Sequence, residues 1–77
     1  MTTIKETLEY ILKAIVTDPS SIQISDRSEG EVLIMEITAA PEIVGQIIGK
    51  EGKIIKSIRT ILNLSYPNSR YSLDIKG

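Results

Sequence analysis

The sequence predicts an α+β domain: three strands in one mixed sheet, with helices packed on one face of it. Three observations carry that expectation. The chain opens on an amphipathic helical stretch. Two short alternating stretches follow, separated by a glycine turn. Two further helical stretches, joined by Gly49-Lys50-Glu51-Gly52, then precede a last alternating stretch. The element order is α-β-β-α-α-β, and residues 1–77 are expected to form a single domain. A domain of this size buries roughly 60% of its unfolded surface. With no cysteine to add a cross-link, its core must come from regular, well-covered elements.

Residues 3–16 carry Ile4, Leu8, Ile11, Leu12, Ile15 and Val16 at helical spacing. Thr3 and Glu6 have the spacing of a capping box, and Asp18-Pro19-Ser20 ends the helix. Ile22 to Asp26 alternates and reads as a half-buried strand. Ser28-Glu29-Gly30 reads as a turn, and Glu31 to Thr38 as the most apolar strand, expected at the sheet centre. Leu33, Met35 and Ile37 share one of its faces; Val32, Ile34, Glu36 and Thr38 share the other. The short connection makes the pair an antiparallel hairpin.

Pro41 suits the first turn of a helix, where its missing N–H is not needed, and Glu42 suits the positive end of the dipole. That helix is expected over Pro41 to Ile48, closed by Gly49 as its cap. Gly45 stands inside it, at a cost of roughly 1 kcal/mol against alanine, which points to close packing or to close approach of another backbone. From Gly52 a second helix runs to about Leu62. Its expected buried stripe is Ile54, Ile55, Ile58, Ile61 and Leu62, and Lys53, Lys56 and Arg59 recur on its polar side. Asn63 to Ser69 reads as a loop, within which Tyr66 beside Pro67 is a loop anchor first and a base-stacking residue second. Arg70 to Lys76 alternates as the last strand, with Tyr71, Leu73 and Ile75 on one face. A crossover through two helices places it parallel to the central strand, at a sheet edge.

Composition excludes much chemistry. The absence of histidine removes the usual general base and most transition-metal sites. Glu29, Glu31 and Glu36 cluster without a nucleophile or metal partner, so no enzyme and no cofactor are expected. The glycine turn lacks the length and the Lys-Ser/Thr ending of a nucleotide-binding P-loop. The absence of cysteine fits a reducing compartment, and the N-terminus reads as neither signal peptide nor membrane span, so a cytoplasmic location is expected. Net charge is −1, but it is unevenly placed. Residues 1–44 hold three basic and eight acidic side chains, net −5, whereas residues 45–77 hold six and two, net +4. Such a field suits an anionic partner on one side of the molecule.

The glycine turn supplies the chemistry that an anionic strand needs. Glycines on both sides let a ligand backbone come close, and the helix N-terminus that follows attracts phosphate. Lys50 adds a point charge, Lys53 and Lys56 extend the cationic track, and Gly45 leaves the preceding helix bare one turn earlier. Ile47 and Ile48 are candidates to line a groove against bases, with one or both open to a core role instead. Together these features read as a nucleic-acid backbone clamp.

Ile48-Gly49-Lys50-Glu51-Gly52-Lys53-Ile54-Ile55, inside a helix–turn–helix between two strands, resembles the KH domain, and the full element order resembles its type II arrangement. The chain as a whole is similar to the small stand-alone bacterial KH proteins of the KhpA type, most closely over residues 39–62. The resemblance implies binding of single-stranded RNA with low sequence specificity, as an RNA chaperone or regulatory module. It further implies that Gly49, Lys50, Glu51 and Gly52 form the clamp, with Lys53 as a flanking cation. Ile48 and Ile55 would be groove or near-groove apolar positions, and Tyr71 to Ile75 the opposite wall. Implied partners are a second copy or a larger KH protein of the Jag type, with no membrane involved. Glu51 departs from an ideal clamp: an anion beside a phosphate path weakens binding there.

Overall fold

The computed structural model describes residues 3–76. Helix α1 spans Ile4–Ile15 and starts as the sequence predicts. The Glu6 N–H donates to Thr3 Oγ1 at 3.1 Å, and the Thr3 N–H donates to Glu6 Oε1 at 3.2 Å, so two otherwise orphaned donors are satisfied reciprocally. A 3₁₀ turn, Pro19–Ser21, leads to β1, Gln23–Glu29, and then to β2, Val32–Thr38. Helix α2 spans Pro41–Ile48, the 3₁₀ turn Lys50–Gly52 follows, α3 spans Lys53–Ser65 and β3 spans Tyr71–Lys76.

The sheet order is β1-β2-β3, with β1 antiparallel and β3 parallel to β2. The mixed sheet, the central apolar strand and the parallel edge strand all match expectation, and the arrangement is a type II KH fold. Pairing of Ile24 with Ile37 and of Met35 with Leu73 sets the inward face. Because side chains alternate, Ile24, Leu33, Met35, Ile37, Tyr71, Leu73 and Ile75 turn toward the helices. Asp26 lies on that same face of β1 and pairs with Lys5 of α1 at 3.2 Å. The opposite face carries Glu36, whose carboxylate lies against Arg27 and, at 2.6 Å, against Lys76 Nζ. The core between sheet and helices is centred on Leu8, Leu12, Met35, Ile37, Ile47 and Leu62, all fully buried. Burial of each such side chain stabilises the fold by about 1.5–3 kcal/mol, before the ordering cost.

Several boundaries and burial assignments differ from expectation, among them Ile15 of the α1 stripe, which is 41% exposed. Strand β1 continues past Asp26, because Arg27, Ser28 and Glu29 pair with Ile34, Leu33 and Val32; the connection shrinks to Gly30 and Glu31, with Gly30 at φ 62°. Helix α3 continues through Asn63, Leu64 and Ser65 rather than stopping near Leu62. It ends where Pro67 excludes helical geometry for Tyr66, which sits at φ −132° and ψ 65°. The expected loop is correspondingly shorter. Finally, the buried stripe of α3 is Ile55, Ile58 and Leu62 alone. Ile54 and Ile61 are 39% and 45% exposed, since they lie to one side of the line that faces the sheet.

Candidate nucleic-acid interface

The site is built where α2 gives way to α3. Helix α2 closes with the Gly49 N–H donating to Gly45 O at 2.9 Å. The chain then turns through three residues of positive φ: Gly49 at 75°, Glu51 at 57° and Gly52 at 72°. Gly52 donates to Gly49 O at 3.1 Å, and Lys53 donates to Lys50 O, which winds the turn tightly enough to start α3 at once. Gly52 has the left-handed conformation at the N-cap, and no side chain among the described residues caps this end of α3. The dipole of a 13-residue helix therefore points its positive end at the turn without a protein anion in the capping position.

The glycines have different local reasons. A Cβ on Gly49 would come within 2.6 Å of the Ile54 side chain, so Ile54 packs down onto the bare Cα of the residue that ends α2. Gly52 needs its glycine for backbone conformation rather than space. Gly45 is exposed on α2, and nothing lies within 4 Å of the position its Cβ would take, so it is not a packing glycine. Glu51 adopts the left-handed region without being glycine, at a cost of roughly 1–2 kcal/mol, and its side chain is exposed.

Lys50, Lys53 and Lys56 are exposed, and none of them forms an ion pair among the described residues. Lys5, Lys13, Arg27, Arg70 and Lys76, by contrast, each face a carboxylate. The two isoleucines before the turn separate: Ile47 is fully buried, and Ile48 is 37% exposed beside the turn. Ile55 belongs to the core, so it can support a groove only from beneath. Strand β3 is one of the two sheet edges.

Sequence reasoning missed two sets of contacts. Gln46 binds Thr17 through both ends of its amide: its Oε1 accepts from the Thr17 N–H at 2.9 Å, and its Nε2 donates to Thr17 Oγ1 at 3.0 Å, which fixes α2 to the segment after α1. Tyr66 sends its hydroxyl back to α1, donating to Thr3 O at 3.1 Å and lying 2.5 Å from Thr7 Oγ1. That geometry makes Tyr66 an anchor of the α3–β3 connection. Neither contact has a local signature, because the partners are 29 and 59–63 residues apart. Among the described residues no cluster of three or more acidic side chains could hold a metal, and no helix is long and apolar enough to cross a membrane.

The chain is similar to known proteins over most of its length. The family model described as KhpA/KhpB, KH domain matches residues 5–75. A Chlamydia pneumoniae protein named RNA-binding protein KhpA is 42% identical over 73 residues, covering 92% of this chain and 94% of its own length. Proteins of the same name from Clostridium acetobutylicum and Treponema pallidum are 41% and 39% identical. The first alignment covers 75% of this chain and 77% of the relative, the second 92% and 91%. No solved structure matches. The chain belongs to the KhpA/KhpB family of KH domains.

Proposed function

We propose that this protein binds single-stranded RNA with low sequence specificity, through a backbone clamp made by Gly49, Lys50, Glu51 and Gly52. The observation that carries the reading is the coincidence, at one turn, of three positive-φ residues, an uncapped helix N-terminus and cations without ion-pair partners. Phosphates approach the bare turn, Lys50 and Lys53 neutralise them, and Lys56 continues the track. Gly45 and Ile48 offer a flat, partly apolar surface on the α2 side, and Ile55 supports it from the core. Contacts of this kind go to the backbone and carry little sequence information, which suits an RNA chaperone or regulatory module acting in the cytoplasm. Relatives named for RNA binding support the same reading.

Three or four phosphate contacts give a log–log salt slope of about −2 to −3 for a single strand. The test replaces Lys50 and Glu51 with aspartate. Aspartate tolerates the left-handed conformation needed at position 51, so the fold should persist by circular dichroism while RNA binding is lost. Unchanged affinity in that variant refutes the clamp.

A second reading, pairing with another copy or with a larger Jag-type KH protein, is favoured by apolar side chains that α3 leaves exposed, Ile61 at 45% and Leu64 at 79%. Sedimentation across a concentration series distinguishes it: a monomer at every concentration that captures no KH partner counts against pairing.

A further inference from the structure

We propose that Thr17 and Gln46 form a latch that sets how α2 is rolled on the core, and so where the glycine turn is presented to a strand. Both act as positioning residues. The proposal rests on the RNA-binding reading of that turn and names what aims it.

The turn inherits its place from α2. The Gly49 N–H donates to Gly45 O, and the Gly52 N–H donates to Gly49 O, so the turn moves with the last turn of that helix. Helix α2 is eight residues long, and its buried residues are Ile43 and Ile47. Four positions apart, these lie about 40° from each other around the axis and form one line of contact. A helix seated on one line resists lifting more than it resists rolling. Successive residues are about 100° apart, which puts Val44 about 80° to one side of that line and Gln46 about 80° to the other. Val44 packs partly buried against the core and holds its flank. Gln46 holds the opposite flank through hydrogen bonds. Gly45 lies about 180° from the line and Ile48 about 120°, so any roll of α2 displaces the surface proposed to face the strand.

The post that Gln46 reaches is itself fixed. Thr17 lies between Val16 and the 3₁₀ turn Pro19–Ser21, and Val16 and Ile22, which bracket this connection, are both buried. The Ile22 N–H donates to Pro19 O at 3.2 Å and closes the turn. Against this post the Gln46 amide is engaged at both ends, accepting from the Thr17 N–H at 2.9 Å and donating to Thr17 Oγ1 at 3.0 Å. A planar amide held at both ends has one orientation, which fixes one roll of the helix that carries it. At the outer radius of a helix, a roll of about 10° moves the surface by about 1 Å. A binding constellation must be held within about 0.5 Å, so the latch acts on the scale that decides binding.

The experiment measures binding of an eight-residue oligouridylate by fluorescence anisotropy, at a temperature where every variant is folded by circular dichroism. The variants are T17S, T17V, Q46L and T17V/Q46L, none of which changes net charge. T17S keeps both hydrogen bonds, T17V keeps only that of the backbone N–H, and Q46L removes both. T17S is expected to bind as the unaltered protein does. One hydrogen bond biases the roll by at most roughly 2- to 13-fold. Q46L, which loses two, is therefore expected to weaken binding by at least about 3-fold, and T17V by less. Because both substitutions break one device, T17V/Q46L is expected to bind no more weakly than Q46L alone. T7V removes a hydroxyl contact with Tyr66 in the first half of α1 and is expected to lower the melting temperature without weakening RNA binding. In the free protein, T17V is expected to shift the amide NMR signals of residues 49–52, across the hydrogen bonds from the substitution, whereas T7V leaves them in place.

Q46L binding as tightly as the unaltered protein overturns the latch. So do additive losses in T17V/Q46L, which report two separate contacts, and a matching loss in T7V, which reports destabilisation alone. K50D/E51D separates this proposal from the reading it rests on. If that variant binds normally, the clamp fails, and the amide signals of T17V decide the latch: displaced signals uphold it and unmoved signals overturn it.

Discussion

A methyl group added at Gly45 separates the structural and functional reasons for that glycine. Gly45 lies inside the eight-residue helix α2, its φ is not in the left-handed region, and, apart from its chain neighbours and its own helix backbone, no atom of the described residues lies within 4 Å of the place its Cβ would take. Alanine therefore fits without displacing anything, and it removes the backbone-entropy cost of glycine in a helix, about 1 kcal/mol. In a domain of 77 residues, 1 kcal/mol moves the melting temperature by about 4–8 °C. The expected outcome of Gly45→Ala is a melting temperature raised by that amount in circular dichroism, together with weaker RNA binding in fluorescence anisotropy, because the methyl stands on the surface proposed to face the strand. A melting temperature that stays put or falls refutes the reasoning about helix cost and open space. A raised melting temperature with unchanged RNA affinity refutes the functional half, and leaves Gly45 without a role in the interface.

Three other perturbations follow from the same geometry. Gly49→Ala sets a Cβ against Ile54 at 2.6 Å and forces an L-residue to φ 75° and ψ 174°, so urea titration should show a loss of at least about 1–3 kcal/mol, with I54A restoring only the part due to the clash. Glu51→Asn replaces a strained residue by one that tolerates positive φ and removes the anion beside the phosphate path; stability should rise by up to about 1 kcal/mol and RNA affinity should increase in the same titrations. Glu36 has its pKa lowered below the ordinary 4.5, first by the Lys76 hydrogen bond and charge and then by Arg27. A carboxylate depressed in the folded state stabilises above its unfolded pKa and loses that contribution as pH falls through the folded value. Glu36→Gln should therefore flatten the acid side of the stability profile, read as urea midpoints from pH 7 down to pH 3, and an unchanged acid slope would show that the pair with Lys76 does not persist in solution.

Much of this protein follows from local chemistry. The capping box at Thr3 and Glu6, the bounds of α2 set by Pro41 and Gly49, and the alternation that turns Met35, Ile37 and Leu73 inward all depend on residues close in sequence. Gly49 as the cap of α2 was equally legible, whereas the positive φ of Glu51 and Gly52 emerged only in the folded turn. The order of the elements then implied a parallel edge strand, because a crossover through two helices returns the chain in its original direction.

Other features depend on what the chain meets when it returns. Hydrophobic periodicity marks an apolar stripe but does not say which of two adjacent isoleucines is at its centre: packing buries Ile47 and Ile55 and leaves Ile48 and Ile54 partly exposed. The length of α3 was underestimated because the stop at Tyr66 and Pro67, with the Tyr66 hydroxyl held by Thr3 and Thr7, overrides weaker loop signals from Asn63 to Ser65. Arg59 and Arg70 share a groove only because β3 returns beside α3, and the Tyr71 hydroxyl reaches Asn63 for the same reason. The sequence by itself determined the two-glycine turn and the cations around it, since residues 45–56 carry them in one uninterrupted run. Tertiary packing decided the groove between α3 and β3, because residues distant in sequence acquire a shared surface only when the sheet and helices close around a common core.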